Sequence, residues 1–393
     1  MPFLRFDSIV AAGLVALVTL APGRNTGLIT AADAPKPRFT RAGEVRVADL
    51  SVQAGAVIDE DAVVVVGTTH CDAESDDPNK HDANRLGPNG AIVDLRGKKA
   101  KPFTNGHTAG IFSVSVGRDR IVTTSNSRDP MLRAWDLKAG RTAPAVEIET
   151  PPPDRSNQRY RATLFHKSNR VAIALDDHVL VLDPAKPNAR AKFAIPEAEW
   201  WPGELAISRD DTRIACTAGK CGLVVWDTAT KKATSVPLMP ANADEADSWV
   251  SGHAMFGPTG ALYALRHGPT EVPEKTAEKD VPADRRSVVG IDLPDGKVLP
   301  LGLGTSVYTL HAAIDPAGTW LAVVGTAHAD KRLPDGTVTG AELRVYRLGT
   351  WELVHREQMD GLGEVWVAFT PSGKRLVTAN YDGRVRWWDV QGK

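Results

Sequence analysis

The last thirteen residues, Tyr381–Lys393, YDGRVRWWDVQGK, decide how the chain is read. Asp382-Gly383 is a tight-turn pair. Arg384 to Val390 then sets arginines against valine and tryptophan, as a β-strand does. The strand reaches Trp388-Asp389 and only four residues follow, so its far edge needs a partner from elsewhere in the chain.

Working outward, the same ending recurs. Val93-Asp94, Trp135-Asp136, Leu182-Asp183, Trp226-Asp227, Ile291-Asp292, Tyr346-Arg347 and Trp388-Asp389 follow one another at intervals of 42 to 65 residues. Ahead of each stands a strand, a polar turn and a second strand. AVIDEDAVVVV, LAISRDDTRIAC, AMFGPTGALYAL, AAIDPAGTWLAV and VAFTPSGKRLVT are examples. Seven strand-turn-strand units alternate with seven closing strands, and no helical periodicity persists after residue 35.

These units resemble WD repeats, which build β-propeller blades of four antiparallel strands, A innermost to D outermost. Trp135-Asp136, Trp226-Asp227 and Trp388-Asp389 match the family's dipeptide, and Gly106-His107 its Gly-His pair. His107 and these three Trp-Asp pairs are therefore expected to be structural. Gly-His occurs in register once, because Gly252-His253 falls inside a strand A, and Tyr346-Arg347 lacks the aspartate. The family's His–Ser/Thr–Trp–Asp tetrad is thus expected in few blades. The resemblance covers about residues 40–393 and implies an all-β, seven-bladed propeller.

A lone blade buries neither face, so seven copies must stack in a closed ring. Phe39 to Val47, FTRAGEVRV, has strand character and precedes the first unit, so it is expected to pair with Arg384–Val390 and complete the last blade. The expected division is 1–34 for an export signal or retained anchor, 35–50 for a linker and closing strand, and 51–393 for the propeller. The signal reading rests on Arg5, the uncharged run Ile9–Ala21 and the small residues Thr30–Ala34. It implies a periplasmic, extracellular or cell-surface protein with no membrane span after signal removal. Cys216 and Cys221 flank a short B–C turn and are candidates for a disulfide in that compartment.

Composition narrows the function. There are 47 Lys and Arg against 48 Asp and Glu, a formal charge of −1, which gives nucleic acid no electrostatic footing. G-x-S-x-G, H-E-x-x-H, P-loop and paired C-x-x-C motifs are absent from the sequence, and no cofactor is implied. Three B–C connections are long, residues 68–91, 267–286 and 325–340, and topology sends all of them to one rim together with the D–A connections. Loops gathered on one face of a repeat array are a common binding surface. Trp200, Trp201, Trp249, Tyr308 and Trp366 lie near that rim and are candidate contacts for a protein or peptide.

Two metal readings compete. The first insertion packs His70, Cys71 and His81 among acidic residues, although their spacing fits neither a zinc pattern nor a calcium loop. Glu204, His253 and His311 stand three residues before the ends of successive A strands and could converge in the channel, together with Trp366. The leading expectation is a non-enzymatic, exported, monomeric scaffold that binds protein. The alternatives are a metal-dependent, lactonase-like hydrolase using the channel, and a carbohydrate-binding module using Trp200, Trp201 and Trp249.

Overall fold

The computed structural model describes residues 38–69, 89–102, 107, 110–125, 129–137, 146–149, 160–175, 177–196, 202–218, 222–238, 250–267, 287–293, 296–303, 308–326 and 339–391. The segments bearing His70, Cys71, His81, Trp200, Trp201, Cys221 and Trp249 lie outside these residues. So does everything before residue 38, including the expected signal.

Among the described residues the strands form seven antiparallel four-stranded sheets. Six are consecutive, each running from an inner strand A to an outer strand D. Their A strands are Leu50–Val57, Ser113–Val116, Arg161–Leu164, Pro202–Ile207, Val250–Phe256 and Tyr308–Ile314. The seventh blade starts at Glu364–Phe369 and continues through Arg375–Asn380 and Arg384–Gln391. Its fourth strand is Arg38–Arg46, antiparallel to Arg384–Gln391 in a register from Arg38↔Gln391 to Arg46↔Arg384. That register slips between Arg41 and Gly43, at a point where Trp387 lies against the backbone. A Cβ on Gly43 would come within 2.1 Å of the Trp387 ring, so only glycine lets the two strands meet there.

Stacking explains the composition of each strand. Strands B and C are covered on both faces by neighbouring blades, so they read as nearly continuous apolar runs. Val171–Ala174 is buried throughout, as is Gly222–Asp227 up to its final aspartate. Strand D borders solvent instead. Lys186–Ala194, KPNARAKFA, is mostly exposed and carries the lysines that keep an outer edge from pairing with other chains.

The core divides into seven clusters, each bridging two adjacent blades. One of them joins the seventh blade, through Trp366, Val377 and Trp387, to Val52, Val63 and Val93 of the first. The ring therefore closes with the same kind of contact that joins its interior blades.

The recurring residues have distinct local roles. Trp226 and Trp388 face the preceding blade, where their Nε1 groups donate to Ala194 O (3.0 Å) and Glu357 Oε2 (2.7 Å). The aspartates that follow strand C close the C–D turn. Asp94 Oδ1 accepts from Gly97 N, Asp183 from Ala185 N, and Asp227 from Ala229 N and Thr230 N. In the sixth blade Arg347 replaces that aspartate, and its guanidinium lies 4.9 Å over the Trp320 ring. The turns GPTG, DPAG and TPSG end on Gly260, Gly318 and Gly373 at φ of 86°, 72° and 67°, a left-handed conformation that costs other residues energy.

Candidate functional site

In the central channel, residues from all seven blades converge. The channel encloses about 680 Å³ and is lined by the seven A strands. In five of those strands the A–B ladder slips at one level. The slips lie at Val52/Ala54, Pro202/Leu205, Ser251/Ala254, Thr309/His311 and Glu364/Trp366. Such a bulge adds a residue to one strand and re-aims its side chain. Glu204 and His253 occupy slips, while His311 and Trp366 follow directly after them. All four positions thus lie at or beside an irregular step of the A–B ladder.

Blades three to six furnish the polar side. Arg161 Nε lies 3.0 Å from Glu204 Oε1, and its Nη1 donates to the carbonyl of Phe112. The His253 and His311 rings stack with centroids 4.2 Å apart and planes 29° from parallel. Burial lowers the His253 pKa; Glu204 opposes this and Arg161 adds to it. His311 is held well below the usual range by burial, then by His253 and Arg161, against a bond to the Val367 backbone. Both imidazoles are accordingly neutral near pH 7. The Nδ1 atoms of both are buried without a hydrogen-bond partner.

Trp366 does not serve as an exposed anchor. It is 5% exposed and wedged between the seventh and first blades, with its ring against Gly55, where a Cβ would sit 2.6 Å away. This corrects its expected place among partner contacts: the bulge turns the ring toward the neighbouring blade. For Tyr308 the strand is described, paired with Thr326, but the side chain is not.

Cys216 is a free, buried thiol that burial pushes up to about 12. Its cross-strand partner is Val224, because the B–C register also pairs Ala218 with Gly222. Cys221 lies outside the described residues, and the Cys216 thiol sits in the core between the third and fourth blades.

The second blade carries a complete polar chain behind its tryptophan. Trp135 Nε1 donates to Thr123 Oγ1 at 3.0 Å, and Thr123 meets His107 Nε2 at 2.9 Å. His107 Nδ1 lies 2.8 Å from Asp129 Oδ2. The acid of this tetrad is Asp129, in the B–C turn, and not Asp136 of the Trp-Asp pair.

A buried ionic cluster at the closure escaped sequence reasoning. Arg386 is fully buried and donates to three carboxylates and one carbonyl. Nε reaches Glu44 Oε2 at 2.9 Å, Nη2 reaches Asp360 O at 2.8 Å and Oδ1 at 3.0 Å, and Nη1 pairs with Glu364. Burial pushes Glu364 up to about 7, although Arg386 pulls the other way. A signal for it existed: Arg133, Arg344 and Arg386 each stand two residues before a closing aromatic, and all three are buried.

Comparison with known proteins agrees with this geometry. Residues 362–389 match the family described as WD domain, G-beta repeat. No curated protein matches the chain. Among solved structures, the β-propeller domain of Cps50 (Swd1) from Myceliophteria thermophila superposes with a TM-score of 0.60 at 15% identity. The match covers 90% of this chain and 100% of that one, and identity this low speaks for the fold alone. The chain is a seven-bladed β-propeller whose closing blade matches the WD-repeat model.

Proposed function

We propose that the protein is an exported, non-catalytic scaffold that binds a protein partner through the face bearing its B–C and D–A connections. The observation that carries this is the asymmetry of its loops. B–C connections run from Thr69 to Gly90, His267 to Val288 and Thr326 to Thr339, whereas every A–B turn is short. Long connections on one face of a rigid ring place variable chemistry there at little cost to the core. WD propellers are commonly interaction scaffolds, which supports the same reading.

Aromatic anchors are the second support. Among the described residues the one large apolar side chain standing exposed is Leu353, on an outer strand. Trp200, Trp201 and Trp249 belong to D–A connections, so they would supply hot-spot contacts to that rim. Export rests on the N-terminal segment, and among the described residues no helix is long and apolar enough to cross a membrane.

The test is crosslinking of the tagged protein in its native envelope, followed by comparison of two variant sets. Trp200→Ala/Trp201→Ala should reduce partner recovery about tenfold or more. Arg209→Ala, Thr259→Ala and Lys374→Ala, which are exposed on A–B turns, should leave it unchanged. Asp315 and Ser372 make poor controls, since Asp315 holds its turn through Thr319 and Trp320 and Ser372 bonds Glu60. Loss confined to the turn variants would place binding on the opposite face and end this reading.

A further inference from the structure

Two histidines in the channel are not explained by packing. Buried polar groups are normally hydrogen-bonded. Among the described residues His253 makes no hydrogen bond, and its Nδ1 is shut away from solvent. His311 lies beside the Val367 backbone. Its Nδ1, like that of His253, is buried without a hydrogen-bond partner. Two adjacent blades thus aim stacked imidazoles at one level of the channel, with unused nitrogens on both.

We propose that His253 and His311 form a two-histidine site for a divalent transition-metal ion, Cu²⁺ or Zn²⁺, in the central channel. Imidazole binds such ions at about 2.0–2.1 Å, so two nitrogens on one ion stand roughly 3.3 Å apart in tetrahedral geometry and about 4.2 Å apart when opposed. The rings are stacked with centroids 4.2 Å apart, so one ion held by both nitrogens requires a rotation about χ2. For His253 the rotation breaks no hydrogen bond among the described residues.

Glu204 is committed to Arg161, and its charge offsets the guanidinium that would otherwise repel a cation. Among the described residues there is no cluster of three metal-ligating side chains, so water completes the coordination. The channel, about 680 Å³, has room for it. Nitrogen ligands favour copper, nickel and zinc over magnesium and calcium. The site is independent of the partner-binding rim, so either reading can fail alone.

The experiment titrates the metal-stripped full-length protein with CuCl₂ and, separately, ZnCl₂. Calorimetry gives stoichiometry, and electron paramagnetic resonance of the copper form counts bound nitrogens. The proposal expects a copper spectrum split by two nitrogens. His253→Gln and His311→Gln should each weaken that site about tenfold or more. A His70→Ala/Cys71→Ser/His81→Ala variant separates the candidate of the first insertion and should retain the two-nitrogen spectrum. Unchanged copper affinity in folded His253→Gln and His311→Gln proteins would overturn the proposal. So would a wild-type spectrum without two-nitrogen splitting, a result that needs no variant to fold.

Discussion

Replacing Arg386 by methionine tests what holds the ring shut. The guanidinium ties Glu44 of the N-terminal strand to Glu364 of strand A and Asp360 of the sixth blade. Removing it leaves Glu364, which is fully buried, without its cation. Stranding one partner of a buried pair costs about 3–5 kcal/mol. Glu44→Gln is the contrast: that carboxylate is 33% exposed, and the change should cost about 1 kcal/mol or less.

Acidity adds a second signature. Glu364 titrates near 7 in the folded protein against 4.5 for the free group, so the folded state binds its proton more tightly than the unfolded state does. Its contribution to stability is complete below pH 4.5 and is lost as pH rises through 7, an upper limit of roughly 3 kcal/mol. Asp360, held below the usual carboxylate range first by its hydrogen bond from Arg384, stays ionised throughout pH 5–8. Urea unfolding followed by tryptophan fluorescence should therefore show Arg386→Met costing more at pH 8 than at pH 5, where the stranded carboxyl takes up a proton. Glu364→Gln should flatten the wild-type decline between those pH values. A cost for Arg386→Met no larger than for Glu44→Gln, or one greater at pH 5 than at pH 8, would refute the argument.

Two smaller changes probe the interior. Thr123→Val leaves Trp135 Nε1 and His107 Nε2 without their shared hydroxyl and should destabilise the protein by about 2–3 kcal/mol in urea titration; a cost below about 0.5 kcal/mol would show that the polar chain of the second blade is dispensable. Cys216 should resist a thiol reagent at pH 8 until the protein unfolds, because its thiolate is suppressed and its sulfur buried; labelling of Cys216 at the same rate in native and urea-unfolded protein would contradict its placement in the core.

The legibility of this chain follows from which interactions repeat. Strand A, a polar turn, strand B and the closing pair recur seven times, so blade number could be counted from residues such as Trp135, Trp226 and Trp388. Turn aspartates were legible as well, although their work is to close C–D turns and not to join the tetrad. Asp129 was invisible because its neighbour in space, His107, is 22 residues away in a loop with no fixed spacing. Proximity in sequence made Cys216 and Cys221 candidates for a facing pair, and Cys221 lies outside the described residues. The ladder puts Val224 across from Cys216.

Position also separates the channel residues into two kinds, and alignment alone could not do this. Trp366 and His311 occupy the same step of their repeats, each directly after a slip in the ladder. The tryptophan finds Gly55 on the next blade, whose missing side chain admits the ring, and becomes core. The histidine stacks on His253 of the preceding blade. A large apolar ring is stabilised wherever it is enclosed, whereas a neutral imidazole keeps a polar edge that enclosure leaves unsatisfied. The apolar member therefore completes the fold, and the histidine pair retains nitrogens that the fold does not use. It is this unsatisfied polarity, more than the depth of the channel, that marks the fifth and sixth blades as the place to look for bound metal.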